Sequence, residues 1–305
     1  MFDSKIESVK VEKLDLNLEC YYDLLNRKGI RLSSSEAFDK KNNKIYNGLQ
    51  SEFFASDFGD DNAFSERYSC KCKKYIGKMY TGITCEECNT QVEYNDTDLS
   101  KTGWIIIDNF SVISPIFTAK LIDALGSVNG EKILDKIIEV DYDEEGNQLF
   151  SEKDQLLIKK HPYIHKGLIW FKDNILEVLE FYEKRKPTKM KLFKELKEDI
   201  PIIFTNCIPV YSSVLRTELP GVKGNKLFKM KINTIYQSII KISNYINKFH
   251  PDDIDNKKIN TINMQLHDIQ RYMLEIFNDV YKSLAKKKGI ILGKVVGEHF
   301  CPCLS

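Results

Sequence analysis

The sequence predicts an α+β fold, mainly helical, carrying a compact four-cysteine ribbon and a protruding antiparallel coiled-coil hairpin. Three observations point there. Four of the eight cysteines fall between Cys70 and Cys88. An apolar run from Trp104 to Ile107 reads as a buried strand, and helical periodicity follows it. Two apolar seams face each other across the polar turn "HPDDIDNKK".

Size and charge bound the reading. The 305 residues, 42% hydrophobic, suffice for one large domain or two to three modules. Net charge is +1, so no global field announces a polyanionic partner. The basic side chains are 39 Lys and only 6 Arg, so any phosphate contacts would be mostly point charges rather than bidentate forks. "MFDSK" leads into mixed charge with no apolar leader segment. No apolar run approaches the roughly 20 residues of a membrane span. The expectation is a soluble chain in a reducing cytoplasm (a host's, if phage-encoded) with no membrane partner. Clustered thiols in that compartment read first as metal ligands.

Residues 1–65 form an N-terminal segment of short apolar runs and polar loops. In "ASDFGDDNAF", Asp57, Asp60 and Asp61 could hold Mg²⁺ through carboxylates, or form a solvated turn around Gly59. Residues 66–95 are the ribbon. Cys70, Cys72, Cys85 and Cys88 have the spacing C-x-C-x12-C-x2-C. Two close pairs joined by a short hairpin can converge four thiolates on one tetrahedral Zn²⁺, and four thiolates leave no position for water, so the zinc is expected to be structural. Gly77 and Gly82 allow tight turns, and Asn89 can adopt the left-handed conformation. Lys71, Lys73, Lys74 and Lys78 are either a solvated face or contacts to nucleic-acid backbone. Cys20 and Cys207 stand alone. In the tail, His299, Cys301 and Cys303 form at most half a metal site.

Residues 96–205 read as a mostly helical body. Pro115 opens a helix bearing Ile116, Leu121, Ile122 and Leu125. "DYDEEGNQLFSEKD" is an acidic surface loop. His161 and His165 stand four apart, but Pro162 argues against a helical metal pair. Residues 166–183 are helical until Pro187 breaks the pattern. Past a connecting segment, 206–230, the hairpin of 231–284 carries one seam of Ile232, Ile235, Ile239, Ile242, Ile246 and Phe249. Its return seam is Ile259, Ile262, Leu266, Ile269, Met273, Ile276 and Val280, and periodicity alone fits either a projecting hairpin or two ordinary core helices. Residues 285–305 close the chain.

These pieces occur in a known order. The cysteine cluster resembles the zinc ribbon near the start of the largest (β′) subunit of multisubunit RNA polymerases. Cys70, Cys72, Lys74, Tyr75, Gly82, Cys85, Cys88 and Val92 match that pattern, while Lys73 and Asn89 replace glycines. "GLQSEFFASDFG" is similar to the family's lead-in at Gly48, Leu49, Phe58 and Gly59, which assigns the acidic cluster to a loop before the ribbon. "IPVYSSVLRTELPGVKGNKLF" is similar to the segment running into the lid, at Pro209, Val210, Leu215, Arg216 and Gly224. "INTIYQSIIKISNYI" matches the start of the clamp coiled coil at Asn233, Tyr236 and Asn244, and "QRYMLEIFNDVYKSL" resembles its returning helix. The family's aspartate loop, Asn-Ala-Asp-Phe-Asp-Gly-Asp, is missing. "LAKKKGIILGKVVG" keeps Leu292, Gly293, Lys294 and Val296 of the segment that precedes that loop.

The resemblance implies a polymerase clamp, as in the split β′ subunits of giant phages. It implies an N-terminal β′-like subunit that holds DNA template and RNA transcript. Catalytic Mg²⁺ would be bound by another chain. Partners would be the C-terminal β′ part, β-like chains and a promoter-specificity factor. Lys73, Lys74, Lys78, Arg216, Lys223 and Lys226 are the expected nucleic-acid contacts. Gln237, Lys241, Asn244 and Lys248, on the outer face of the first hairpin helix, are expected to dock the factor. The alternative is a stand-alone zinc-ribbon protein that binds nucleic acid or a polymerase as a regulator.

Overall fold

The computed structural model describes residues 13–36, 45–50, 54, 68–70, 72, 74–94, 102–143, 145, 147–211, 219–220, 227–228, 231–250 and 255–285. In chain order these form α1 (Leu16–Leu25), β1 (Gly29–Arg31), β2 (Tyr68–Ser69), β3 (Glu93–Tyr94), β4 (Thr102–Ile106), β5 (Val112–Ile113) and α2 (Pro115–Leu125). Next come β6 (Ser127–Val128), β7 (Glu131–Lys132), α3 (Ile133–Ile138), α4 (Glu152–Ile158), α5 (Leu168–Asp173), α6 (Ile175–Arg185) and α7 (Met190–Ile203). The remainder is β8 (Phe204–Thr205), β9 (Cys207–Val210), β10 (Leu219–Pro220), β11 (Leu227–Phe228), α8 (Lys231–Ile246) and α9 (Asn256–Ala285). The fold is mixed α+β. Among the described residues, no helix is long and apolar enough to cross a membrane.

The expected strand lies at the centre of a three-stranded sheet ordered β1-β4-β9, parallel to β1 and antiparallel to β9. Alternate residues serve opposite faces. Ile105 and Ile107 enter the main core, whereas Trp104 packs with Leu16, Cys20 and Cys207 beneath α1. Cover on both faces is why this strand reads as an unbroken apolar run. Gly103 faces Leu32 and Phe54, and an added Cβ would come within 2.4 Å of the Phe54 ring.

Helix α1 is held by polar contacts as well. The Asp15 carboxylate caps its N-terminus, accepting from Asn17 N at 2.9 Å. Trp104 Nε1 donates to Asp23 at 2.9 Å. The Asn17 amide donates to Phe204 O and accepts from Thr205 Oγ1 and Asn206 N. This joins the helix to the β8–β9 corner.

The expected helix from Pro115 is α2. The expected helix over 166–183 is two, α5 and α6, joined at Asn174. Pro187 opens a short 3-10 turn before α7. His161 and His165 are not a metal pair. His161 Nδ1 lies 2.9 Å from Tyr182 OH, while His165 Nε2 lies 3.3 Å from Asp154. His165 has φ 57°, so its chain leaves the turn by a left-handed residue.

The hairpin helices require a correction. The two heptad seams predict a protruding antiparallel coiled coil; α8 and α9 instead lie against the body, with Ile232, Ile239, Leu266 and Ile269 in the same core as Ile105 and Phe171. The reason is the width of the buried stripe. Asn233, Tyr236, Ile240 and Ser243 of α8 are buried beside the seam residues. A coiled-coil seam buries only two positions per heptad, and a broader stripe needs a second partner. That partner is β4 for α8, and β5, α2 and α5 for α9.

Side-chain amides fix this docking. Gln270 Oε1 accepts from Ile113 N at 2.7 Å, and its Nε2 donates to Ile113 O at 3.1 Å, completing the edge of β5. Asn263 Oδ1 accepts from Ile169 N at 3.1 Å. Gly167, with φ 87°, passes so close that an added Cβ would stand 3.0 Å from Asn263. Tyr236 OH accepts from Tyr211 N and donates to Pro209 O.

The acidic loop ends in a buried ion cluster. Ser151 and Asp154 form a capping box at α4. Asp154 also meets His165 and Lys136, at 3.3 and 3.5 Å. The Ser151 hydroxyl foremost, then His165 and Lys136, hold the Asp154 carboxyl down at about 2. A depressed carboxylate stabilises the fold above its unfolded pKa and loses that contribution as pH falls through the folded value. Wild-type stability should therefore drop between about pH 4 and pH 2. Asp154→Asn should be less stable at neutral pH and show a flatter acid limb in urea titrations. Parallel acid limbs would mean that Asp154 does not contribute this term.

Candidate metal centre

The ribbon is built on the pairing of β2 with β3, Tyr68 opposite Tyr94 and Ser69 opposite Glu93, with a bridge between Thr84 and Gln91. Two knuckles hang from it. In the first, Cys70 N donates to Tyr75 O at 3.1 Å, and Tyr75 N donates to Cys70 Sγ at 3.3 Å. In the second, Cys85 N donates to Thr90 O and Asn89 N to Cys85 O, both at 2.9 Å. The left-handed turns expected from sequence are present, with φ 123° at Gly77, 85° at Gly82 and 53° at Asn89.

The four sulfurs converge. Cys70, Cys72, Cys85 and Cys88 place their Sγ atoms within 4.8 Å of one another, and the Cys70–Cys72 and Cys72–Cys85 separations are 3.5 Å. Four sulfurs about 2.3 Å from a tetrahedral ion stand roughly 3.8 Å apart. The site therefore fits a metal ion such as zinc, with thiolates in all four positions. Cys70 and Cys85 are buried, Cys88 is half-buried and Cys72 is exposed.

Crowding separates the thiols electrostatically. The Thr90 hydroxyl, 2.9 Å away, lowers Cys88 to about 5. At Cys72 the Lys74 backbone N–H favours the thiolate, but Cys88, burial and the other two thiols together push it up to about 12. Further thiolates beside the first are disfavoured by like charge, and a divalent cation removes that obstacle.

Apolar burial alone is too small to order this unit. Among its described residues the fully buried core is Cys70, Cys85 and Val92, with Tyr68, Tyr75 and Tyr80 half-covered around it. Even a large apolar side chain contributes only roughly 1.5–3 kcal/mol when fully buried, against about 1–2 kcal/mol of backbone entropy for every residue fixed. A structural metal supplies on the order of 10 kcal/mol.

The lysines fare unevenly. Lys74 Nζ lies 3.1 Å from Glu87 and 3.9 Å from Glu86, so its charge is partly met inside the ribbon. Lys73 and the Lys78 side chain lie outside the described residues, as do Arg216, Lys223, Lys226, the Asp57–Asp61 cluster and the tail bearing His299, Cys301 and Cys303. In the connecting segment β10 pairs with β11, Leu219 opposite Phe228. On α8, Lys241 is exposed and Gln237 is half-buried; Lys248, expected on the same helix, is exposed in the turn after the helix ends at Ile246. Asn244 donates to Ser33 O at 2.6 Å.

The fold also joins two thiols that the sequence leaves isolated. Cys20 of α1 and Cys207 of β9 are both buried in the cluster around Trp104. Interaction with Cys207, then burial, raises Cys20, and the same contact lowers Cys207. No sequence spacing signals this pair.

No family model matches the chain. Among curated proteins, the sequence is 29% identical over 84 residues to the DNA-directed RNA polymerase subunit beta' of Thermosipho melanesiensis. The same figures hold for the corresponding subunit of Thermosipho africanus. The match takes in 23% of this chain, and the chain spans about 5% of the length of these relatives. The chain is thus weakly similar to bacterial β′.

Purified chain should carry one zinc ion by elemental analysis. Cys85→Ser should lose it and expose the segment 66–95 to limited proteolysis, because metal free energy is folding free energy there. Native protein free of metal, with that segment still protected, would refute the structural-zinc reading.

Proposed function

We propose that the chain is an N-terminal β′-like clamp subunit of a multisubunit DNA-dependent RNA polymerase, with the catalytic aspartates on another chain. The similarity to the Thermosipho subunits carries this reading, and the four converging cysteines support it. The ribbon, 66–95, holds structural zinc close to nucleic acid. The segment 206–230 acts as the lid through Arg216, Lys223 and Lys226, with Lys73, Lys74 and Lys78 as ribbon contacts. The chain closes over template and transcript and assembles with the C-terminal β′ part and β-like chains. Mg²⁺ enters only with the assembled enzyme, where it supports attack of the RNA 3′-hydroxyl on a nucleotide α-phosphate.

The test is purification from the native source. A core subunit arrives in stoichiometric amounts with β-like chains and the second β′ part, and the chain alone synthesises no RNA. Recovery free of those chains, or substoichiometric and salt-labile with a complete polymerase, would favour the regulator. Template-dependent synthesis by this chain alone would end the clamp assignment.

Factor docking is assigned to the outer face of α8 and the turn after it, at Gln237, Lys241, Asn244 and Lys248. Lys241 and Lys248 are its exposed cations, so affinity there should fall with salt. In reconstituted enzyme, Lys241→Glu with Lys248→Glu should impair promoter-specific initiation severalfold and spare elongation on a preformed RNA–DNA scaffold. Equal loss of both activities would make the face merely structural, and unchanged initiation would place the factor elsewhere.

A further inference from the structure

Away from the ribbon, the turn before α5 and the outer side of α6 bring aromatic rings and cations together. Tyr163 stacks on Trp170 with centroids 5.5 Å apart and meets Phe181 edge-on at 5.0 Å. His161 stacks on Tyr182 at 5.8 Å. Tyr163, Trp170, Phe181 and His161 are all half-buried, their inner sides against the core and the rest toward solvent.

Three exposed cations edge this array. The Arg185 guanidinium lies 4.0 Å from the Phe181 centroid and donates to Lys160 O. The Lys166 ammonium stands 5.9 Å from the Trp170 ring. Among the described residues, no carboxylate pairs with Lys160, Lys166 or Arg185, whereas Lys197 and Lys189 nearby are taken up by Glu183 and Asp123. Glu177, bonded to Tyr163 OH at 2.8 Å, is an acid at the rim, and Glu180 is exposed on the same helix. The field is felt locally: burial first, then Arg185, Lys186 and Lys160, lowers the His161 pKa. An ordinary solvated face intersperses charges of both signs. Here half-exposed rings are edged by unpaired positive charge, the combination that suits stacked bases and a phosphate backbone.

We infer that the surface formed by His161, Tyr163, Trp170 and Phe181 with Lys160, Lys166 and Arg185 binds single-stranded nucleic acid, bases on the rings and phosphates on the cations. The inference deepens the polymerase reading and rests on it only for the source of the strand.

The chain has two tryptophans. Trp104 is 3% exposed and bonded to Asp23, so quenching on titration reports Trp170. The full, metal-loaded chain is titrated with a short fluorescein-labelled oligothymidylate, read by tryptophan emission and by anisotropy. Binding should quench Trp170 saturably and weaken with salt. Lys160→Glu with Lys166→Glu, both at exposed positions, should lower affinity at least about tenfold. Lys28→Glu, at an exposed position between α1 and β1, should leave the quench in place. Trp170→Phe should remove the signal yet keep anisotropy binding within about twofold, since a ring remains to stack. Absent binding, or binding that the lysine reversals leave unchanged, overturns the inference. Equal quenching by polyglutamate also overturns it, in favour of an acidic polypeptide. Stoichiometric co-purification with polymerase chains alongside any of those results would leave the subunit assignment standing and remove this surface from it.

Discussion

Strand β4 has no solvent face, and the body is arranged around that constraint. Its backbone pairs on both edges, with β1 and β9. Its side chains divide between α1 and the helical layer. Burying a strand so completely demands that every neighbour be held in register, because a one-residue slip would exchange the two sets of side chains. The contacts that fix the register are polar. Asp23 holds the Trp104 indole, Asn17 holds the corner after β8, and Asn247 Nδ2 donates to Ile106 O at 2.9 Å.

The same logic governs the hairpin helices. Buried amides are tolerable only when fully bonded. Gln270 meets that condition by bonding both Ile113 N and Ile113 O, and the Asn263 carbonyl oxygen completes the α5 entry at Ile169 N. An apolar residue at either position would leave buried backbone groups without partners. These amides therefore specify where α9 rests, while the isoleucine seams supply the area. Tyr236 of α8 and Asn247 just past its end tie the helix bearing the proposed factor-docking face to the central sheet.

The ribbon follows a different rule. Among its described residues the buried apolar side chains, Cys70, Cys85 and Val92, are too few to order it, so a metal ion on the four converging thiols would set its geometry. The body is held by area and register, whereas a metal ion on the four thiols would hold the ribbon by ligation. Metal removal should therefore act locally rather than on the sheet.

How much was legible in sequence follows from how local each signal is. The cysteine spacing, the glycines and Asn89 of the knuckles, the strand at Trp104 and the helix from Pro115 are set by residues a few positions apart, so composition and period suffice to find them. The hairpin was legible only in part: its seams give two helices, but the wider stripe through Asn233, Tyr236 and Ser243 is what docks them. Other features lie in contacts between residues distant in the chain. Cys20 meets Cys207, and Ile113 meets Gln270. Tyr163 meets Phe181, His161 meets Tyr182 and Arg185 bonds Lys160 O only because the turn before α5 folds back on α6. Periodicity within a segment carries no record of which segment it will face. That choice belongs to the packing of the body around β4, and so only the tertiary structure decided it.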